Sequence, residues 1–178
     1  MKNKIMMAAG LALIVAGCGS GISTNTDYDP SASFAGYSTY NWISSDGAVD
    51  DITSSRIRQS VDAGLSARGF SKDTSNPDLA ISYQVPTTER TSFSTINTGW
   101  GGGYGWGGWG MGMGTSTTTE QNWTEGSLIL AIFDTKSKNM VWTGTATTDL
   151  DQNRTPQERQ ELVDEAVGKL LADFPPGS

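Results

Sequence analysis

The sequence predicts an α+β domain, with a mainly antiparallel sheet of about four strands and two amphipathic helices packed on one face. Three observations carry this expectation. Leu79, Ile81, Tyr83 and Val85 alternate with Ala80, Ser82 and Gln84, the period of a strand with one buried and one more polar face. Leu128 to Phe133 and Met140 to Thr145 are two runs joined by the polar Thr135-Lys136-Ser137-Lys138-Asn139, which together read as a β-hairpin. Thr155, Pro156 and Glu158 form a capping box with proline at the first helical position, ahead of the apolar stripe Leu162, Val163, Ala166, Val167, Leu170, Leu171 and Phe174.

Gly19 to Thr26 is small and polar, without periodicity, and reads as a tether. Residues 18–26 are therefore expected to be linker and residues 27–178 a single α+β domain, opening at the turn-favouring Pro30. Tyr37 to Ile43 is rich in aromatic and β-branched residues and predicts the first strand, with Ser38, Tyr40 and Trp42 on one face. Ile57, Val61 and Leu65 then recur at four-residue spacing, with Asp50 or Asp51 able to cap the start and Gly69 able to close the end, which predicts a helix. Pro86 limits the next strand or marks an edge or bulge. The continuous apolar run Leu128 to Phe133 fits a strand covered on both faces, at the centre of the sheet. Pro175-Pro176 stops the final helix.

The N-terminal end carries an address. Lys2 and Lys4 precede an apolar run from Ile5 to Val15, and the small Ala16 and Gly17 precede Cys18, which is the order of an export signal. Eleven apolar residues fall short of the roughly 20 that a spanning helix needs. Val15-Ala16-Gly17-Cys18 looks like the bacterial lipobox, so residues 1–17 are expected to be a lipoprotein signal peptide and Cys18 the lipidated residue. An ordinary secretory signal beside a buried cysteine is the alternative. Acyl chains, palmitate among them, would hold the chain on a membrane without help from the domain. Gly19 stands where inner-membrane lipoproteins tend to carry Asp, so the expected location is the periplasmic face of the outer membrane of a Gram-negative cell.

Composition narrows the chemistry. The chain has 12 basic and 19 acidic residues, a formal charge of −7, and loss of Lys2 and Lys4 with the signal leaves −9. A surface this acidic repels phosphate backbones, so nucleic acid is not an expected partner. There is no histidine and one cysteine, which removes Ser-His-Asp and Cys-His arrangements and the usual zinc sites. A carboxylate pair such as Asp78 and Asp134 is the remaining route to a hydrolase; the plainer reading is that both bound strands. Asp27 and Asp29 fall short of a calcium ligand set, and no metal or cofactor is expected.

The sequence from Trp100 to Gly114 holds nine glycines in fifteen residues and no charge. It matches neither dinucleotide nor phosphate-loop fingerprints. It predicts a loop spanning about residues 95–118, either a mobile spacer or a contact surface built from Trp100, Tyr104, Trp106, Trp109, Met111 and Met113. Such aromatics suit a protein, a sugar or a membrane interface.

The Asp27-Tyr28-Asp29-Pro30 start, the segment Phe34 to Trp42, Asp78 to Tyr83, Gly126 to Asp134, Met140 to Gly144 and the Phe174-Pro175-Pro176 end occur together in this order. That combination resembles the bacterial lipoprotein family catalogued as domain of unknown function 4136. The resemblance implies an envelope lipoprotein and supplies no catalytic residue. The resulting expectation is a non-catalytic lipoprotein with an envelope structural, assembly or protein-binding role, the alternative being glycan or peptidoglycan binding through the aromatic loop.

Overall fold

The computed structural model describes residues 21–43, 49–98 and 115–177. Seven strands form one mixed sheet: β1 (Ser23–Tyr28), β2 (Thr39–Trp42), β3 (Ser71–Lys72), β4 (Leu79–Gln84), β5 (Thr87–Thr98), β6 (Thr115–Asp134) and β7 (Met140–Leu150). Helix α1 (Asp51–Ser66) follows β2, and α2 (Pro156–Leu170) follows β7. The strand order is β1-β7-β6-β4-β2-β3, with β5 also on β6. β2 runs parallel to β3 and β4, and the other pairs are antiparallel. The sheet is thus larger than the four strands expected, and mixed. Its two parallel pairs arise because α1 carries the chain back between β2 and the strands β3 and β4 that follow it.

The helices start where their capping residues stand. Asp50 accepts from the amides of Ile52 and Thr53, both at 3.0 Å, and the Thr155–Glu158 capping box is formed in full. After α1, Gly69 takes φ +86°, which its lack of a side chain permits.

Both helices pack on the same sheet face. Tyr40 reaches Asp62 of α1 through its hydroxyl at 2.8 Å, Tyr83 reaches Ser54 at 2.6 Å, and Gly144 lies under Leu170 of α2. Leu79, Ile81, Tyr83, Leu130 and Ile132 are buried there with Ile57, Val61, Leu65, Val167 and Leu170. Ile129, Ala131 and Phe133 alternate with them and are only half-buried, so the run 128–133 is covered on one face rather than both among the described residues. Ser60 and Gln160 hydrogen-bond one another, Ser60 also bonds Asp164, and Gly64 abuts Leu171. Residue numbers rise together along the two helices, which therefore run side by side in the same direction.

Three elements differ from the sequence reading. Ser23–Tyr28, whose first four residues were expected to be tether, form an edge strand paired with Thr147–Trp142 of β7. All six residues are exposed, so the strand rests on backbone pairing and carries no hydrophobic signal. β3 is only two residues long. The third difference lies beyond Pro86, where β5 and the first half of β6 extend as strands into the region expected to be loop from about residue 95 to 118.

At the other end of the core, Phe174 packs on Phe34, Phe70 and Trp142 with ring centroids 5.3–6.0 Å apart, and Phe34 packs on Tyr37 at 5.9 Å. The aromatic residues near the two ends of the chain thus close one side of the core together.

Candidate functional site

β4 and β5 behave as one strand along β6. Gln84 stands opposite Ile129 and Thr87 opposite Gly126, and the same register continues to Thr98 opposite Thr115. Pro86 interrupts the ladder because it has no N–H to donate, although its carbonyl still accepts from Ser127 at 3.0 Å. It marks the root of an arm that becomes two-stranded from Arg90 opposite Trp123, where the pairing of β6 with β7 ends. Residues 87–92 of β5 and 118–122 of β6 are exposed throughout. The arm's described cross-strand contacts are polar: Thr91 donates to Asn122 at 2.8 Å, and Arg90 pairs with Glu125 at 3.2 Å. Threonine-rich composition suits strands, but a lone ribbon is marginal in water, so the arm depends on its continuity with the sheet.

Trp100, Tyr104, Trp106, Trp109, Met111 and Met113 fall between Thr98 and Thr115, outside the described residues. Cys18 also lies outside them.

The carboxylates singled out by the sequence are held in structural roles. Asp78 accepts from the backbone N–H groups of Ser38 and Thr39 at 3.0 and 3.1 Å and from both hydroxyls. These bonds, the Ser38 amide foremost, hold its pKa below the ordinary 3.8. Asp134 accepts from the amides of Lys136 and Ser137, which turn the β6–β7 hairpin, and its pKa is likewise lowered. The chain does bring the two residues to one sheet end, where the Thr135 amide donates to the Asp78 carbonyl at 3.0 Å. Both are stabilised as anions, so neither has the raised pKa that suits a general acid. Asp29 is engaged with Ser31 through its amide and hydroxyl.

Under the root of the arm, on the helix-bearing face, lies a cleft of about 560 Å³. Its floor is Leu128, Ala146 and Leu150, and its walls come from the first turns of α1 and from Leu162, Val163 and Ala166 of α2. Arg56, Arg154 and Arg159 stand around it. Arg56 lies far in sequence from Arg154 and Arg159, and the three follow no motif, so sequence reasoning had no signal by which to find them.

The family model for the domain of unknown function DUF4136 matches residues 24–176. The chain belongs to that family. Among curated proteins, none matches the DUF4136 chain. Solved structures do. A PDZ domain protein from Parabacteroides distasonis matches at 12% identity with a TM-score of 0.55, over 89% of this chain and 36% of that one. The DUF4136 chain therefore spans about a third of that relative's length. PelC from Paraburkholderia phytofirmans, solved as a dodecamer, matches at 12% identity with a TM-score of 0.50, over 85% of this chain and 96% of that one. At such identities the likeness shows a shared fold. The DUF4136 match begins at Thr24, within β1, in keeping with that strand's being part of the domain.

Proposed function

We propose that this DUF4136 protein is a non-catalytic lipoprotein, anchored through Cys18 at the periplasmic face of the outer membrane, whose β5–β6 arm makes contacts in envelope structure or assembly. The observation that carries the reading is the arm itself. Residues 87–92 and 118–123 are exposed on both faces, and among the described residues β5 has no strand partner other than β6. Unpaired strand edges are templates for strand addition by another chain. The run between its two strands concentrates four of the chain's eleven tryptophans and tyrosines, Trp100, Tyr104, Trp106 and Trp109, in a stretch without charge. The lipobox-like Val15-Ala16-Gly17-Cys18 supports the anchor, and the absence of histidine supports the non-catalytic part.

The test replaces residues 99–114 by Asn-Gly, a two-residue turn that joins the directly opposite Thr98 and Thr115 without changing register. Cross-linking in intact cells is then compared with wild type. Loss of cross-linked partners with an unchanged melting temperature is expected; an unchanged partner set refutes the contact role. PelC's dodecameric structure makes self-association the first partner to score, by light scattering of both proteins. If instead purified peptidoglycan retains wild type but not Trp106→Ala or Trp109→Ala, the contact is with glycan.

A further inference from the structure

The cleft beneath the arm root combines three features that the arm does not explain. Its surface is chiefly apolar, lined by Ile57, Leu128, Leu150, Leu162 and Val163, and its volume of about 560 Å³ lies within the roughly 300–1,000 Å³ range of small-molecule sites. Three guanidinium groups line it against two carboxylates, in a chain whose formal charge is −7. The carboxylates have other partners: Asp50 caps α1, and Asp151 accepts from the amide and side chain of Asn153. Arg159 donates to the carbonyls of Arg154 and Gln152. Arg154 differs: its Nη1 is buried with no acceptor among the described residues, and the nearby Glu158 carboxylate, whose charge it helps to stabilise, is engaged by the Thr155 amide and hydroxyl.

A buried donor left unpaired is costly, and one on a guanidinium is costlier still. Both helices also begin at this end, and their aligned peptide dipoles favour negative charge there. The site thus offers apolar walls for a chain and, in the partly exposed Arg154 guanidinium, a cation for one acidic group. We propose that the cleft binds a single-chain anionic amphiphile of the fatty-acid class, with its hydrocarbon on the apolar lining and its carboxylate on Arg154. This rests neither on the arm nor on the lipid anchor.

The full chain carrying Cys18→Ala, purified without detergent, is titrated with the fluorescent fatty acid cis-parinarate, and bound probe is displaced by palmitate, methyl palmitate, lysophosphatidate or inorganic phosphate. Saturable binding is expected, with palmitate displacing at least about tenfold better than its uncharged ester, since the ester forfeits the charge-assisted hydrogen bond. Arg154→Met should weaken palmitate by about tenfold and leave the ester unchanged. Val163→Trp, which fills the cleft, should abolish displaceable binding. The apolar N-terminal run is present in every variant, so that loss separates the cleft from it. No saturable binding, equal displacement by acid and ester, or undiminished binding in Val163→Trp overturns the proposal. Stronger displacement by lysophosphatidate than by palmitate overturns the carboxylate assignment. The acid–ester comparison needs no change at Arg154, so it decides even where Arg154→Met fails to fold.

Discussion

Thr39 and Asp78 hold one another across the sheet: the Asp78 amide donates to Thr39 Oγ1 at 2.9 Å, and the same hydroxyl donates to Asp78 Oδ2 at 2.9 Å. With the Ser38 and Thr39 amides on the same carboxylate, this fixes the start of β2 against the start of β4. The parallel β2–β4 pair depends on it, since the two strands share a ladder of only three residue pairs. Asp78→Ala should destabilise the domain by about 2 kcal/mol, because two N–H groups lose charged acceptors. Urea unfolding checks this. An unchanged midpoint would show that water replaces the carboxylate at no loss.

The pH dependence follows from the same groups. Asp78, Asp134, Asp50, Asp29 and Glu158 all have pKa values lowered by hydrogen bonds that their anions accept. A carboxylate with a lower pKa folded than unfolded stabilises the fold above its ordinary value, and that contribution fades as pH falls through the folded value. Tyr40 shifts the other way: burial, then the bond to Asp62, raises its pKa, so the unfolded chain ionises first and stability falls above about pH 10. With no histidine in between, stability should be nearly level from about pH 5 to 9. Urea midpoints at pH 3, 7 and 10.5 test this shape. Equal midpoints at pH 3 and 7 would contradict it.

Two glycines should respond oppositely to alanine. A Cβ on Gly144 would sit 2.5 Å from the Trp142 ring and 3.1 Å from Leu170, in the layer where α2 meets β7. Neither the buried indole nor the helix above has room to retreat, so Gly144→Ala should cost about 1–3 kcal/mol by overpacking. Gly168, within α2, meets nothing within 4 Å, and alanine there should stabilise by roughly 0.5–1 kcal/mol through helix propensity and a less flexible unfolded chain. Thermal melts of both variants give the signs directly.

These residues also show where the sequence was readable. Elements that bury a stripe announced themselves: Ile57, Val61 and Leu65 marked α1, the Thr155–Glu158 box marked α2, and the alternation from Leu79 marked β4. β1 and β5 did not. Ser23-Thr24-Asn25-Thr26 buries nothing and is a strand only because β7 supplies a partner far along the chain. The Thr- and Ser-rich start of β5 has no buried face to impose a period of two. The cleft was illegible for a related reason, since it is formed where α1, α2 and the sheet converge, and no local pattern encodes a convergence.

β1 also sharpens what Cys18 should do. Ile22 is already buried and pairing starts at Ser23, so only residues 19–21 separate the proposed lipidation site from the packed domain. Five residues from Cys18 to Ser23 reach at most about 18 Å when extended, so a lipidated Cys18 holds this sheet edge close to the bilayer rather than on a long leash. Cys18→Ala should release the protein from the membrane fraction. Inserting fifteen Gly/Ser residues after Gly19 should keep it membrane-bound while lowering cross-links between β1 and the membrane's own proteins. Membrane retention of Cys18→Ala, read by fractionation and immunoblotting, would sink the anchor assignment; full cross-linking in the lengthened chain would sink only the close approach.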